Sequence, residues 1–232
     1  MDVSSRFSSL TTAHLTDGCV RAQVPVRCAP AGTHAVVPGD RVAGPVRPAR
    51  HVGSVDIFLE AYETASPGDV LVVDNGGRLD ESCVGDLAVL EARSAGVTGV
   101  VIWGLHRDTA DIRPVGLPVF SLGSLPTGPL SLRERPADAL GSATVGEWTV
   151  TPDDWVFGDD DGVVFVPSDR LEDVLNFAEA IRDTERRQAE RIREGVTLRE
   201  QVGFGAFLEA RRERPGLTFR EHLRAVGGAI EE

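Results

Sequence analysis

The sequence predicts an α/β protein with a central βαβ unit, followed by a helical C-terminal extension. Three observations carry that reading. Val70-Leu71-Val72-Val73 is a continuous apolar run, as expected of a strand buried on both faces. Val97 to Trp103 is a second run of the same kind. The segment between them reads as a helix from about Asp86 to Ser94, stopped by Gly96, and such a crossover between parallel strands is nearly always right-handed.

The other elements follow in order. Residues 5–22 read as one helix with Leu10, Ala13 and Leu15 on an imperfect apolar face. Thr33 to Arg47 has a β pattern broken at Pro38-Gly39-Asp40. Ser54 is placed to cap a helix in which Ile57, Phe58, Ala61 and Tyr62 fall at helical spacing, before Pro67-Gly68 ends it. Pro118-Val119-Phe120 is a short third strand. Trp148 to Phe157 and Val163 to Val166 read as a β-pair joined by the turn Asp159-Asp160-Asp161-Gly162. Ser168 and Asp169 open a long helix to about Glu194, with Asp169 and Glu172 at capping-box spacing. Two more helical stretches, Leu198–Arg212 and Phe219–Val226, are split by Pro215-Gly216. The expected division is an α/β domain over 1–195 and a helical extension over 196–232.

Composition narrows the function classes. The formal net charge is -12, with arginines scattered among acids, which argues against nucleic-acid backbone binding and against anionic membranes. Cys19, Cys28 and Cys83 form no C-x-x-C pair, so free thiols are expected. The first five residues lack a basic stretch and an apolar core, and no apolar run reaches membrane-spanning length. The expectation is a cytoplasmic protein.

Ligands of parallel α/β units bind outside the carboxyl ends of their strands. Here those ends are Asp74-Asn75-Gly76-Gly77 and Gly104-Leu105-His106-Arg107-Asp108, and the helix start Gly85-Asp86-Leu87-Ala88 opens at the same edge. A helix N-terminus suits an anion. Arg107 adds a planar fork for a carboxylate. Asp86 and Asp108 offer hard oxygens, which suit a magnesium-like ion better than zinc, since the five histidines show no zinc spacing. Such an ion beside a gripped 2-oxo acid would polarise its carbonyl, the route from this inventory to a lyase. On the residues alone, Arg107–Asp108 also fits a surface ion pair, and Asp86 a favourable first-turn acid. Asp159–Asp161 reads as a hairpin turn, Gly76-Gly77 as a plain turn and Cys83 as a packed thiol. His106 fits either an acid–base group or a hydrogen-bonding strand end.

Gly68-Asp69-Val70-Leu71-Val72-Val73-Asp74, Gly85-Asp86-Leu87, Gly99-Val100-Val101-Ile102, Arg107-Asp108 and the later Gly158–Pro167 together resemble the RraA-like family. That family includes the regulator of ribonuclease E activity and class II 4-hydroxy-4-methyl-2-oxoglutarate aldolases. The resemblance covers about residues 5–195 and implies a layered α/β/β/α domain. It implies a divalent metal, Mg2+ or Mn2+, held directly by Asp108. Arg107 and the N–H groups of Leu87 and Ala88 would bind the pyruvate end of a small 2-oxo acid, and Asp86 would hold metal-bound water and take part in proton transfer. An acid from a neighbouring subunit's C-terminal helix would join them, with Glu185 the nearest match, in a homotrimer or homohexamer. Oxaloacetate decarboxylation is an allied activity. A protein-binding regulator of a ribonuclease, or an enzyme of the same fold acting on another oxo acid or sugar acid, are the alternatives. Trp103, Leu105 and His106 depart from the family's usual small residues, and His106 is a candidate substrate contact. The arginine-rich tail beyond Gly195 matches nothing in the aldolases.

Overall fold

The computed structural model describes residues 3–226. Two short helices open the chain, α1 (Val3–Phe7) and α2 (Thr12–Arg21). The single helix expected over 5–22 is broken because Thr11 caps a new one. Its Oγ1 accepts from the His14 N–H at 3.3 Å, while its own N–H donates to the His14 ring at 2.9 Å. Strands β1 (Arg27–Cys28), β2 (His34–Ala35) and β3 (Val42–Arg50) follow, then α3 (Asp56–Glu63). Val55, not Ser54, holds the cap position of α3, and no side chain caps it there.

The predicted unit is β4 (Val70–Asp74), β5 (Ser82–Val84), α4 (Asp86–Ser94) and β6 (Gly99–Trp103), so the βαβ crossover carries one extra short strand. After it come β7 (Leu105–His106), α5 (Thr109–Ile112), β8 (Val119–Ser121), β9 (Ala143–Val145) and β10 (Trp148–Val150). The strand expected over 148–157 is thus two strands. Trp148–Val150 pairs back on β9, and the chain turns through residues 151–153 before β11 (Asp154–Asp159) pairs with β12 (Gly162–Pro167). A single 3-10 turn, Ser168–Arg170, precedes α6 (Leu171–Arg193), and Arg170 occupies the cap, so Asp169 and Glu172 form no capping box. The expected helix over 198–212 is α7 (Leu198–Gln201) and α8 (Phe204–Glu213), broken at Gly203, where φ is +60°. Last is α9 (Phe219–Val226).

Eight strands form one sheet in the order β1-β12-β11-β3-β4-β6-β8-β2. The β3-β4-β6-β8 half is parallel, and the remaining pairs are antiparallel. Side chains alternate between two cores. Leu71, Val73, Val100 and Ile102 point outward under α3 and α4, with Ile57, Phe58, Val89 and Ala92. Val70, Val72 and Val101 point inward and meet Val156, Val163 and Phe165 from the antiparallel half. The outer face of that half, with Phe157, Val164 and Val166, is covered by α1, α2 and α6. Helix, half-sheet, half-sheet and helix are the four layers expected of the α/β/β/α fold. Each apolar face finds a partner, as two-faced strands require.

The C-terminal helices have their own small cluster, in which Phe207 and Phe219 each pack against the other and against both Phe204 and His222, with ring centres 5.1 to 6.0 Å apart. Capping boxes at Thr197/Glu200 and Thr218/Glu221 start α7 and the segment leading into α9. No helix of the described residues is long and apolar enough to cross a membrane.

The acidic turn has a structural task. Asp159 is buried and accepts from Thr12 N–H at 2.8 Å, Thr12 Oγ1 at 2.6 Å and Asp161 N–H at 3.1 Å, which ties α2 to the β11–β12 hairpin. Asp159→Ala is expected to cost about 2–3 kcal/mol in urea unfolding, because it strands buried donors. Exposed Asp161→Ala should stay within about 0.5 kcal/mol; equal losses would refute this role.

Candidate anion and metal site at the strand ends

The carboxyl ends of β3, β4 and β6 lie side by side, since these strands are parallel neighbours in register. A cavity of about 460 Å3 opens beyond them. Gly85, Asp86, Leu87 and Ala88 of the α4 start, with Arg107 and Asp108, line one side of it. His51, Ser54 and Val55 of the β3–α3 connection and Ser82, Cys83 and Pro129 line the rest.

Local structure brings the first group together. Gly85 is the N-cap of α4 and, with no side chain, leaves the first-turn N–H groups without a side-chain cap. The short strand β5 runs parallel to β7, and the Arg107 N–H donates to the Val84 carbonyl at 2.9 Å. That bond sets Arg107 and Asp108 against the start of α4. Asp108 is in the left-handed region (φ +59°), where among described non-glycine residues only Gln23 joins it. Asp tolerates this conformation better than most residues, and the Asp108 carbonyl accepts from the Asp111 and Ile112 N–H groups to start α5. The twist turns its carboxylate toward Gly85. A Cβ on Gly85 would lie 2.5 Å from Asp108 Oδ2, and one on Gly128 would lie 2.6 Å from an Arg107 guanidinium nitrogen. The two side chains, as placed, therefore fill space that a Cβ at Gly85 or Gly128 would take from them. Their mutual contact, Arg107 Nε to Asp108 Oδ2, is 3.3 Å, and both remain partly exposed to the cavity.

The other sequence candidates sit elsewhere. His106 is buried, with Nδ1 2.7 Å from Ser121 Oγ and Nε2 2.9 Å from Thr109 Oγ1. Both ring nitrogens are engaged in packing β7 against β8 and α5, and His106 is not among the cavity-lining residues. Trp103 lies over Gly77, and Leu105 is buried, so neither of these departures shapes the cavity wall. Glu185 is on α6, on the far side of the sheet, where it pairs with His14 Nε2 at 3.0 Å. Within one chain it is outside the cavity. Gly76-Gly77 forms a turn, and burial pushes the Cys83 thiol up, as for a packed residue.

Sequence reasoning missed His51, Gly128 and the pair Glu81–Arg133. The Glu81 carboxylate is fully buried, accepts from Arg133 Nη1 at 3.0 Å and from the Leu130 N–H at 3.2 Å, and thereby anchors the loop after β8 across the end of β3. Burial raises its pKa, yet the Leu130 N–H and the Arg133 charge outweigh that and hold it below its ordinary value. No local signal marks these residues, because His51 reaches this edge only through the parallel pairing of β3 with β4.

This geometry defines a four-layered α/β protein with an anion-suited cavity at its strand ends. Residues 12–165 match the family model RraA-like (Aldolase/RraA), and the chain belongs to that family. Protein DlpA of Legionella pneumophila is 36% identical over 129 residues, which make up 56% of this chain and 21% of DlpA. A Halalkalibacterium halodurans protein named "Putative 4-hydroxy-4-methyl-2-oxoglutarate aldolase" is 30% identical over 144 residues, 60% of this chain and 66% of that one. The chain thus matches less than two thirds of either relative. RraAS2 of Streptomyces coelicolor, described as an unusual member of the RNase ES inhibitor RraA protein family, superposes with a TM-score of 0.66 at 24% identity. That match covers 82% of this chain and 96% of RraAS2, and it shows the shared fold.

Burial lowers the pKa of His51 and of His106 from the ordinary 6.5, so both rings fold in the neutral form. Below pH 6.5 the unfolded chain takes up protons that the folded chain resists, and stability falls with pH. Thermal melts should therefore drop from neutral pH to about pH 5.5, and less steeply for His106→Gln; a flat profile in both proteins contradicts this.

Proposed function

We propose that this protein is a divalent-metal-dependent lyase that releases pyruvate from a 4-hydroxy-2-oxo acid such as 4-hydroxy-4-methyl-2-oxoglutarate, and that also decarboxylates oxaloacetate. The observation that carries the reading is Arg107 and Asp108 seated beside Gly128 and Gly85, opposite the uncapped start of α4. In this reading Arg107 grips the substrate carboxylate with its planar fork. The Leu87 and Ala88 N–H groups hold the same end of the molecule, where the helix dipole favours negative charge.

Carbonyl activation needs an electrophile. All 24 basic residues of the chain are arginines, so a lysine Schiff base is not open to it. The donor set fits a magnesium-like ion, with manganese the alternative. Asp108 and Asp86 are the carboxylates lining the cavity, and no cluster of three or more His, Cys, Asp or Glu ligands exists among the described residues. Two carboxylates with several waters suit such an ion and do not suit zinc. Asp108 would hold it directly and Asp86 through water. Bound there, the ion supplies Lewis-acid polarisation of the 2-oxo group.

The cavity mouth also motivates an assembly. Val55 (52% exposed) and Leu87 (75%) line it, and Leu59 (46%) on α3 and Leu90 (47%) on α4 are exposed on the same two helices. A homotrimer or homohexamer that covers this face would bury them. Glu185, remote in its own chain, could then act only in a neighbour's cavity.

Two measurements test the reading. Purified protein with magnesium and either substrate, coupled to lactate dehydrogenase, should yield pyruvate, and Asp108→Ala should lower the rate at least about 100-fold. Pyruvate no higher than background in the wild type sinks the proposal. Gly128→Ala should displace the Arg107 fork and raise KM about tenfold or more, because a bidentate grip is lost; an unchanged KM removes Arg107 from substrate binding.

A further inference from the structure

A buried histidine with no part in the scheme above lines the same cavity. His51 follows β3 directly, is 4% exposed, and stacks on Phe58 with ring centres 5.3 Å apart. Its Nδ1 lies 2.9 Å from Asn75 Oδ1, and Asn75 follows β4. Arg133 fixes the sense of that bond. A guanidinium only donates, and Arg133 Nη2 lies 3.3 Å from the same Asn75 atom and 3.4 Å from the His51 carbonyl. The amide atom turned toward Arg133 must then be oxygen, and His51 must donate to it from Nδ1. Arg133 itself is held by the buried Glu81 carboxylate. In the neutral ring the lone pair therefore sits on Nε2, which is buried and has no partner among the described residues.

The surroundings keep the ring neutral. Burial lowers its pKa against the raising effect of the Asn75 bond, and of the charges facing it Arg133 lowers while Glu81 and Asp56 raise. The result is an oriented, unprotonated, buried nitrogen on a residue that lines the cavity of Arg107 and Asp108.

We infer that His51 Nε2 is the proton acceptor for the substrate hydroxyl, with Asn75, Arg133 and Glu81 as its positioning residues. The inference rests on the lyase reading above. Nε2 takes the proton of the C4 hydroxyl as the C3–C4 bond breaks. The O–H electron pair becomes the new C4 carbonyl bond, and the C3–C4 pair passes to the pyruvate fragment as its enolate. Return of the proton from Nε2 to C3 gives pyruvate and restores the neutral ring, so no outside oxidant or reductant is needed.

Oxaloacetate separates this role from a structural one, because its decarboxylation gives the same enolate and has no hydroxyl proton to remove. His51→Asn keeps a donor near Asn75 and deletes the acceptor. With magnesium present, its kcat for cleavage of 4-hydroxy-4-methyl-2-oxoglutarate should fall about 100-fold or more with KM little changed, while oxaloacetate decarboxylation stays within about twofold. Equal loss of both reactions means a structural role and overturns the inference, and so does retention of both. A wild type inactive on both substrates fails the lyase reading and takes the inference with it. Long-range proton–nitrogen NMR of histidine-labelled protein reads the tautomer without turnover. A bare His51 Nε2 at neutral pH is the expected result, and a protonated one overturns the assignment.

Discussion

Strands β4 and β6 are apolar on both faces, so neither side of the central sheet can be left to water. One side is covered by α3 and α4. The other is covered by the sheet's own antiparallel half, which brings Val156, Val163 and Phe165 against Val70, Val72 and Val101. With both faces sealed, polar side chains of β4 and β6 are confined to the strand ends. The carboxyl ends of β3, β4 and β6 are where His51, Asn75, Arg107 and Asp108 collect, and the cavity is a consequence of how the core closes.

Precision at those ends comes from backbone as much as from side chains. The β5–β7 pairing sets the register that brings Asp108 to Gly85, and a left-handed residue turns its carboxylate inward. On the other wall, Glu81 is buried while Arg133 stays partly exposed, and desolvating the Glu81 carboxylate offsets much of the attraction between them. The pair's contribution is orientation, because it fixes the Asn75 amide and through it the His51 tautomer.

The helical tail shows a different balance. Its arginines read as unexplained charge, while the order of the segment comes from four packed rings, Phe204, Phe207, Phe219 and His222, and from a His222 Nε2 contact to the Val202 carbonyl at 2.9 Å. Rings on two short helices, α8 and α9, form a satellite cluster only once the chain turns back at Pro215-Gly216.

The sequence by itself determined the βαβ unit and the stop at Gly96, and it grouped the α4 start with Arg107–Asp108. Those features rest on local period and on the rule for parallel strand ends. It misread breaks and caps at Thr11, Val55, Arg170 and Gly203, where single hydrogen bonds or one left-handed residue decide the outcome. It also could not place His106, Glu185 or His51. A histidine beside the key pair turned inward to Ser121 and Thr109, an acid on α6 fell on the far side of the sheet, and a histidine 56 positions before Arg107 joined its cavity. Which side chains share a cavity depends on strand order and on the pairing of β3 with β4. Those are long-range choices made by burial of both sheet faces, and no local pattern encodes them.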